Sequence, residues 1–139
     1  ALVTVGIFAL IFASGLLIFL EHRALGTVGA LMFILAALAL TAIGVFPENM
    51  KPMHLQASVA FFVLYPLATL VIAATFLLMK DAEMGLFTFA TAAVSAVVWI
   101  VYFTAKLVPG VAVPEAISAA SASVWVIVSS FRMLNKART

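Results

Sequence analysis

Three side chains of this sequence have the chemistry and the placement to form a site: Glu48, His54 and Glu115. Glu48 and His54 flank a short polar break between two long apolar runs, and Glu115 follows Pro114 at the start of the last run. If the runs are antiparallel helices, all three side chains lie at the same end of the molecule. A carboxylate with an imidazole can bind a metal ion or act as acid and base. These residues are the catalytic candidates.

Each of them also has a structural explanation. Glu115 at a helix start complements the helix dipole, Glu48 is solvated or pairs with Lys51, and His54 bonds a backbone carbonyl. Convergence of the three around a cavity open to lipid would favour an enzyme. We expect His54 to bond a carbonyl with Glu115 far away, and we predict no metal and no cofactor.

Four aromatic residues with a polar atom are candidates for ligand binding: Trp99, Trp125, Tyr65 and Tyr102. Neither tryptophan lies at the end of its apolar run, where residues of an interfacial belt are found. A buried indole N–H needs a hydrogen-bond partner. The two tryptophans therefore either pack in the core or line a lipid-sized pocket between the last two helices.

The composition requires a membrane. Of 139 residues, 67% are hydrophobic and 9% are charged, whereas soluble domains carry roughly 25% charged residues. There are no cysteines, so thiolate chemistry is excluded. The formal net charge of +2 forms no basic stripe, so nucleic acid is not a partner.

Five apolar runs separated by short polar breaks predict an all-α bundle of antiparallel transmembrane helices, forming a single domain over 1–139. The predicted spans are 1–20, 25–46, 52–79, 86–107 and 114–131. Stretches of Gly, Ala and Ser in these spans indicate close helix packing, within one bundle or in a homo-oligomer or larger membrane complex.

The distribution of lysine and arginine predicts a cell-membrane protein with its C-terminus in the cytoplasm. One side carries Arg23, Lys80, Arg132, Lys136 and Arg138, and the other carries only Lys51 and Lys106. No charged residue lies near the middle of a span. Ion-coupled transporters usually bury such groups, so we expect no ion-driven transport.

The segment Gly44-Val45-Phe46-Pro47-Glu48, with His54 six residues on, resembles the archaeal and bacterial family known as domain of unknown function 998. It is more distantly similar to the Frag-type and DRAM-type membrane proteins. The Leu25-Gly26-x-x-Gly29 opening resembles the same family. The resemblance implies a polytopic fold and no settled activity. It also implies an earlier span and an outward loop that this sequence lacks.

Three functions remain open. The first is a non-enzymatic bundle that binds or senses membrane lipids or serves as an accessory subunit, and it is the one we favour. The second is a lipid-headgroup hydrolase using Glu48, His54 and Glu115. The third is a passive carrier of a small apolar solute.

Overall fold

The computed structural model describes residues 1–139 and contains five α-helices and no strand. Each helix is long and apolar enough to cross a membrane, which confirms the predicted polytopic helical bundle. The helices are α1 (Leu2–Leu20), α2 (Ala24–Val45), α3 (Lys51–Leu78), α4 (Ala82–Ala105) and α5 (Ala112–Ala137).

The helices form a ring in chain order, because each packs against the next and α5 returns to α1 along a narrow seam. Short connections enforce this antiparallel order. Phe33, Tyr65 and Trp125 pack edge-on or tilted against one another at the centre of the ring. Large apolar side chains on every helix point outward, as a lipid-facing surface requires.

Glycines set the spacing of the first three helices. A Cβ added at Gly6 of α1 would come within 2.8 Å of the Thr41 Cα on α2, and one at Gly29 of α2 would come within 2.8 Å of the Ile72 Cγ1 on α3. The backbones therefore approach closely where the small residues lie, so these small residues serve packing within one bundle.

Two helices extend beyond the predicted spans by four residues or more, and both of these extensions involve Asp81. Helix α4 starts at Ala82, four residues before the predicted start, because the Asp81 carboxylate caps it by accepting a bond from the Met84 N–H at 3.4 Å. Helix α5 continues to Ala137, six residues beyond the predicted end. Arg132 and Lys136 are four residues apart on one face of this extension, and both bind Asp81.

These three residues form the Asp81 cluster, located where the α3–α4 connection meets the end of α5. Arg132 donates three bonds to Asp81, from Nη2 to Oδ1 at 2.9 Å, from Nη2 to Oδ2 at 3.1 Å and from Nε to Oδ2 at 3.2 Å. Lys136 Nζ donates to Oδ2 at 2.9 Å. Lys136 Nζ also lies 6.0 Å from the centre of the Phe19 ring on α1. The cluster therefore ties α1, α4 and α5 together.

Candidate functional site

The turn between α2 and α3 fixes the position of His54. The Met50 N–H donates to the Pro47 carbonyl at 2.8 Å, and the Met50 carbonyl accepts from the His54 N–H at 3.0 Å as α3 begins. His54 Nδ1 donates to the carbonyl of Phe46, the C-cap residue that follows α2, at 2.7 Å. Carbonyls at a helix end lack an intrahelical partner, so the imidazole completes the end of α2.

That bond also determines the tautomer of His54. A carbonyl oxygen only accepts hydrogen bonds, so Nδ1 must carry a proton. In the neutral ring the lone pair is then on Nε2, which is the atom left to accept a proton or to bind a ligand.

His54 lines a cavity of about 700 Å³ between α3, α4 and the start of α5, which we call the His54 cavity. This volume lies in the range of small-molecule sites. The cavity lies at the end of the bundle that contains the α2–α3 and α4–α5 connections. Its walls are formed by Glu48, Lys51, His54, Leu55, Ser58, Val59, Phe62, Val63, Trp99, Tyr102, Phe103, Val111 and Glu115.

The charged groups of the His54 cavity form no ion pairs with one another. Glu48 and Lys51 are exposed and do not form the salt bridge that the sequence allowed. Glu115 is half-buried in the first turn of α5, where it complements the helix dipole. No three His, Asp or Glu residues lie close enough together to share a metal ion.

The predicted catalytic residues therefore agree partly with the structural explanation and partly with convergence around a cavity. His54 bonds a backbone carbonyl, as expected. Glu115, expected to lie apart, lines the same cavity as His54 and Glu48. The three groups surround one space without forming a ligand cluster.

The two tryptophans differ in their surroundings. Trp99 lines the His54 cavity together with Tyr102, and its indole N–H has no hydrogen-bond partner. Trp125 lies in the core with no exposed surface and donates its N–H to the Thr88 hydroxyl at 3.0 Å. Of the two, only Trp99 is placed to meet a ligand in the His54 cavity.

Tyr65 is also in the core and lies apart from the His54 cavity. Its hydroxyl has no partner in hydrogen-bond geometry, although the Thr91 and Ser121 hydroxyls approach it. Its ring borders a second, almost wholly apolar cavity of about 320 Å³ along the α1–α5 seam.

Sequence reasoning named Trp99 and Tyr102 but missed the apolar α3 wall of the His54 cavity and the whole Asp81 cluster. The α3 wall could have been predicted from the sequence, because His54, Ser58 and Phe62 follow one another at intervals of four residues and therefore share a helix face. Phe62 contacts the Trp99 ring at 4.9 Å between centres, so α3 and α4 close the wall. The Asp81 cluster joins residues more than fifty positions apart and left no local signal.

Comparison with known proteins identifies a family and no individual relative. No curated protein and no solved structure matches the chain. A family model described as "Protein of unknown function (DUF998)" matches residues 1–132. The match covers all of the His54 cavity and the turn that carries Gly44, Phe46 and His54. The chain belongs to the DUF998 family of proteins of unknown function.

Proposed function

We propose that this protein binds a membrane lipid in the His54 cavity, with the headgroup among Glu48, Lys51, His54 and Glu115. The observation that carries the proposal is the division of the cavity walls into a charged end and an apolar body. A lipid has the same division, so one molecule would match both parts. The cavity has unpaired charges at its mouth and none deeper inside, which favours an amphiphile over a small apolar solute as the ligand.

The depth of the cavity supports this assignment. Phe62 lies eight residues beyond His54 on α3, which corresponds to about 12 Å along the helix. Over that length the α3 wall changes from His54 through Ser58 to Phe62 and Val63. A lipid bound there would keep its headgroup at the membrane surface and direct its chains along α3 and α4.

The two tryptophans provide the test. Trp125→Phe leaves only Trp99, which lines the cavity, and Trp99→Phe leaves only Trp125, which is fully buried. Both variants are placed in unlabelled bilayers, and phospholipid with brominated chains is added in small amounts. We expect saturable quenching of Trp99 and little quenching of Trp125. Quenching of Trp99 that rises only in proportion to the brominated fraction would overturn the proposal.

The fixed tautomer of His54 favours a second candidate, a lipid-headgroup hydrolase. In the neutral ring the Nε2 lone pair is available to a water molecule, and two carboxylates border the same space. Incubating the purified protein with phospholipid vesicles and analysing the products by mass spectrometry tests this candidate. The hydrolase requires products that appear with the wild type and are lost with His54→Ala; unchanged lipid would exclude it for these substrates.

The charge distribution supports an orientation in which the His54 cavity faces outward and the Asp81 cluster faces the cytoplasm. We expect a cysteine placed at Asn49 to react with a membrane-impermeant thiol reagent in intact cells, because Asn49 is exposed near the cavity. A cysteine at Asn135, in the last turns of α5, should react only after lysis. The chain has no other cysteine. The reverse labelling pattern would contradict this orientation.

A further inference from the structure

The charges around the mouth of the His54 cavity indicate which headgroup fits there. We propose that the cavity selects a zwitterionic phospholipid whose headgroup carries a primary amine, as in the ethanolamine class. The inference rests on the proposed lipid-binding function and adds the chemistry of the ligand. It is drawn from which charged groups at the mouth remain unpaired.

The acceptors at the mouth outnumber the cationic donors. Glu48 and Glu115 contribute two carboxylates, neither of which forms an ion pair, and the neutral form of His54 adds the Nε2 lone pair. A primary ammonium group has three N–H donors and no acceptor, so it complements this set. A quaternary ammonium group has no N–H to donate, and a headgroup with only negative charge would meet two carboxylates.

The phosphate of the same headgroup also has partners. Lys51 at the start of α3 provides the cation nearest the cavity. The first turns of α3 and α5 both lie at this end of the bundle, and the positive end of each helix dipole favours an anion. One cation against two carboxylates matches a headgroup that carries both signs of charge.

A further group suits the linkage below the phosphate. The Trp99 indole N–H is shielded from solvent and has no partner in a wall that is otherwise largely apolar. A buried donor left unpaired is costly. An ester carbonyl of a phospholipid is an acceptor that lies between the headgroup and the chains, and it would satisfy this donor.

Competition between headgroups tests the inference with Trp99 as the reporter. The Trp125→Phe protein in phosphatidylcholine nanodiscs is titrated with brominated phosphatidylethanolamine, phosphatidylcholine or phosphatidylglycerol of the same chain length. We expect phosphatidylethanolamine to half-saturate quenching at a lipid fraction about fivefold lower than either competitor, as one additional exposed ion pair would give.

Charge variants identify the responsible residues. Glu48→Gln combined with Glu115→Gln should remove the preference for the amine, and Glu83→Gln, an exposed residue at the other end of α4, should retain it.

Saturable quenching that is equal for the three headgroups would overturn this inference and leave the lipid-binding function standing. Non-saturable quenching by all three would overturn both. Displacement by soluble glycerophosphoethanolamine would show that the headgroup alone is recognised, and no displacement would show that the chains are needed; the amine preference decides the inference in either case.

Discussion

The two ends of this bundle contain similar charged residues in opposite states. In the Asp81 cluster one carboxylate receives hydrogen bonds from two cations, and its side chain is only 6% exposed. In the His54 cavity two carboxylates, one lysine and one histidine border an open space and form no ion pair with one another. The first arrangement is complete within the protein, whereas the second leaves its charges available to another molecule.

The difference teaches how to separate a structural from a functional charge in a membrane bundle. A charge that is fully paired and caps a helix, as Asp81 does, explains its own presence through stability. A charge that is unpaired beside a cavity adds little to the stability of the fold and remains free to pair with a charged group of a ligand. If this distinction holds, substitutions at the two ends must affect different properties.

The largest effect on stability is expected from Asp81→Ala. It removes the α4 cap and the carboxylate that both cations bind. Loss of one partner of a buried ion pair costs about 3–5 kcal/mol. Because Arg132 and Lys136 are 38% and 39% exposed and can regain water, we expect a smaller loss of about 2–3 kcal/mol. Denaturation in mixed detergent micelles, followed by tryptophan fluorescence, measures it. Glu83→Ala is the matched control, and equal stability of the two variants would contradict the role given to Asp81.

The second prediction concerns pH and the same carboxylate. Burial alone would raise the pKa of Asp81, but hydrogen bonds from Lys136, Arg132 and the Met84 N–H outweigh it and lower the pKa below its usual 3.8. A lowered folded-state pKa stabilises the fold above the unfolded value and loses that stabilisation as pH falls through the folded value. The stability difference between wild type and Asp81→Asn should therefore be constant near neutral pH and shrink below about pH 3.8. A difference that stays the same down to pH 3 would show that the Asp81 charge is not responsible.

The smallest effect on stability is expected at the His54 cavity. Glu48→Gln and Glu115→Gln remove no ion pair, so each should change the free energy of unfolding by less than about 0.5 kcal/mol. For Glu115 the only loss is the favourable interaction with the start of α5. Measured in the same micelles, a loss as large as that of Asp81→Ala would mean that these carboxylates are structural, and the comparison between the two ends would fail.

The fold was predictable because its signals are local. Apolar runs of helix length, broken by Pro, Gly and charged residues, predict five spans and their antiparallel order whatever the tertiary contacts are. Helix ends were less predictable where a distant partner sets them. Helix α5 continues through Arg132 to Ala137 while both cations of this extension bind Asp81, a residue more than fifty positions earlier.

The site was predictable in its charged residues and in two aromatic residues of its wall, Trp99 and Tyr102. Glu48, His54 and Glu115 could be placed at one end of the bundle from topology, but whether they share a cavity depends on how α5 packs beside α3 and α4. The distinction between Trp99 and Trp125 depends on rotation of each helix about its axis, which decides that one indole faces the cavity and the other faces Thr88. Hydropathy does not encode that rotation when nearly every face of a span is apolar.

Native mass spectrometry of protein released from lipid nanodiscs tests the central claim most directly, because it counts the lipids that remain bound. Val63→Trp places a large side chain in the His54 cavity, and Val97→Trp places the same side chain on the outward face of α4. The two valines are matched in exposure, at 51% and 55%. We predict one retained phospholipid for wild type and Val97→Trp, and its loss in Val63→Trp. Equal retention by the two variants, or no retained lipid in the wild type, would contradict the account.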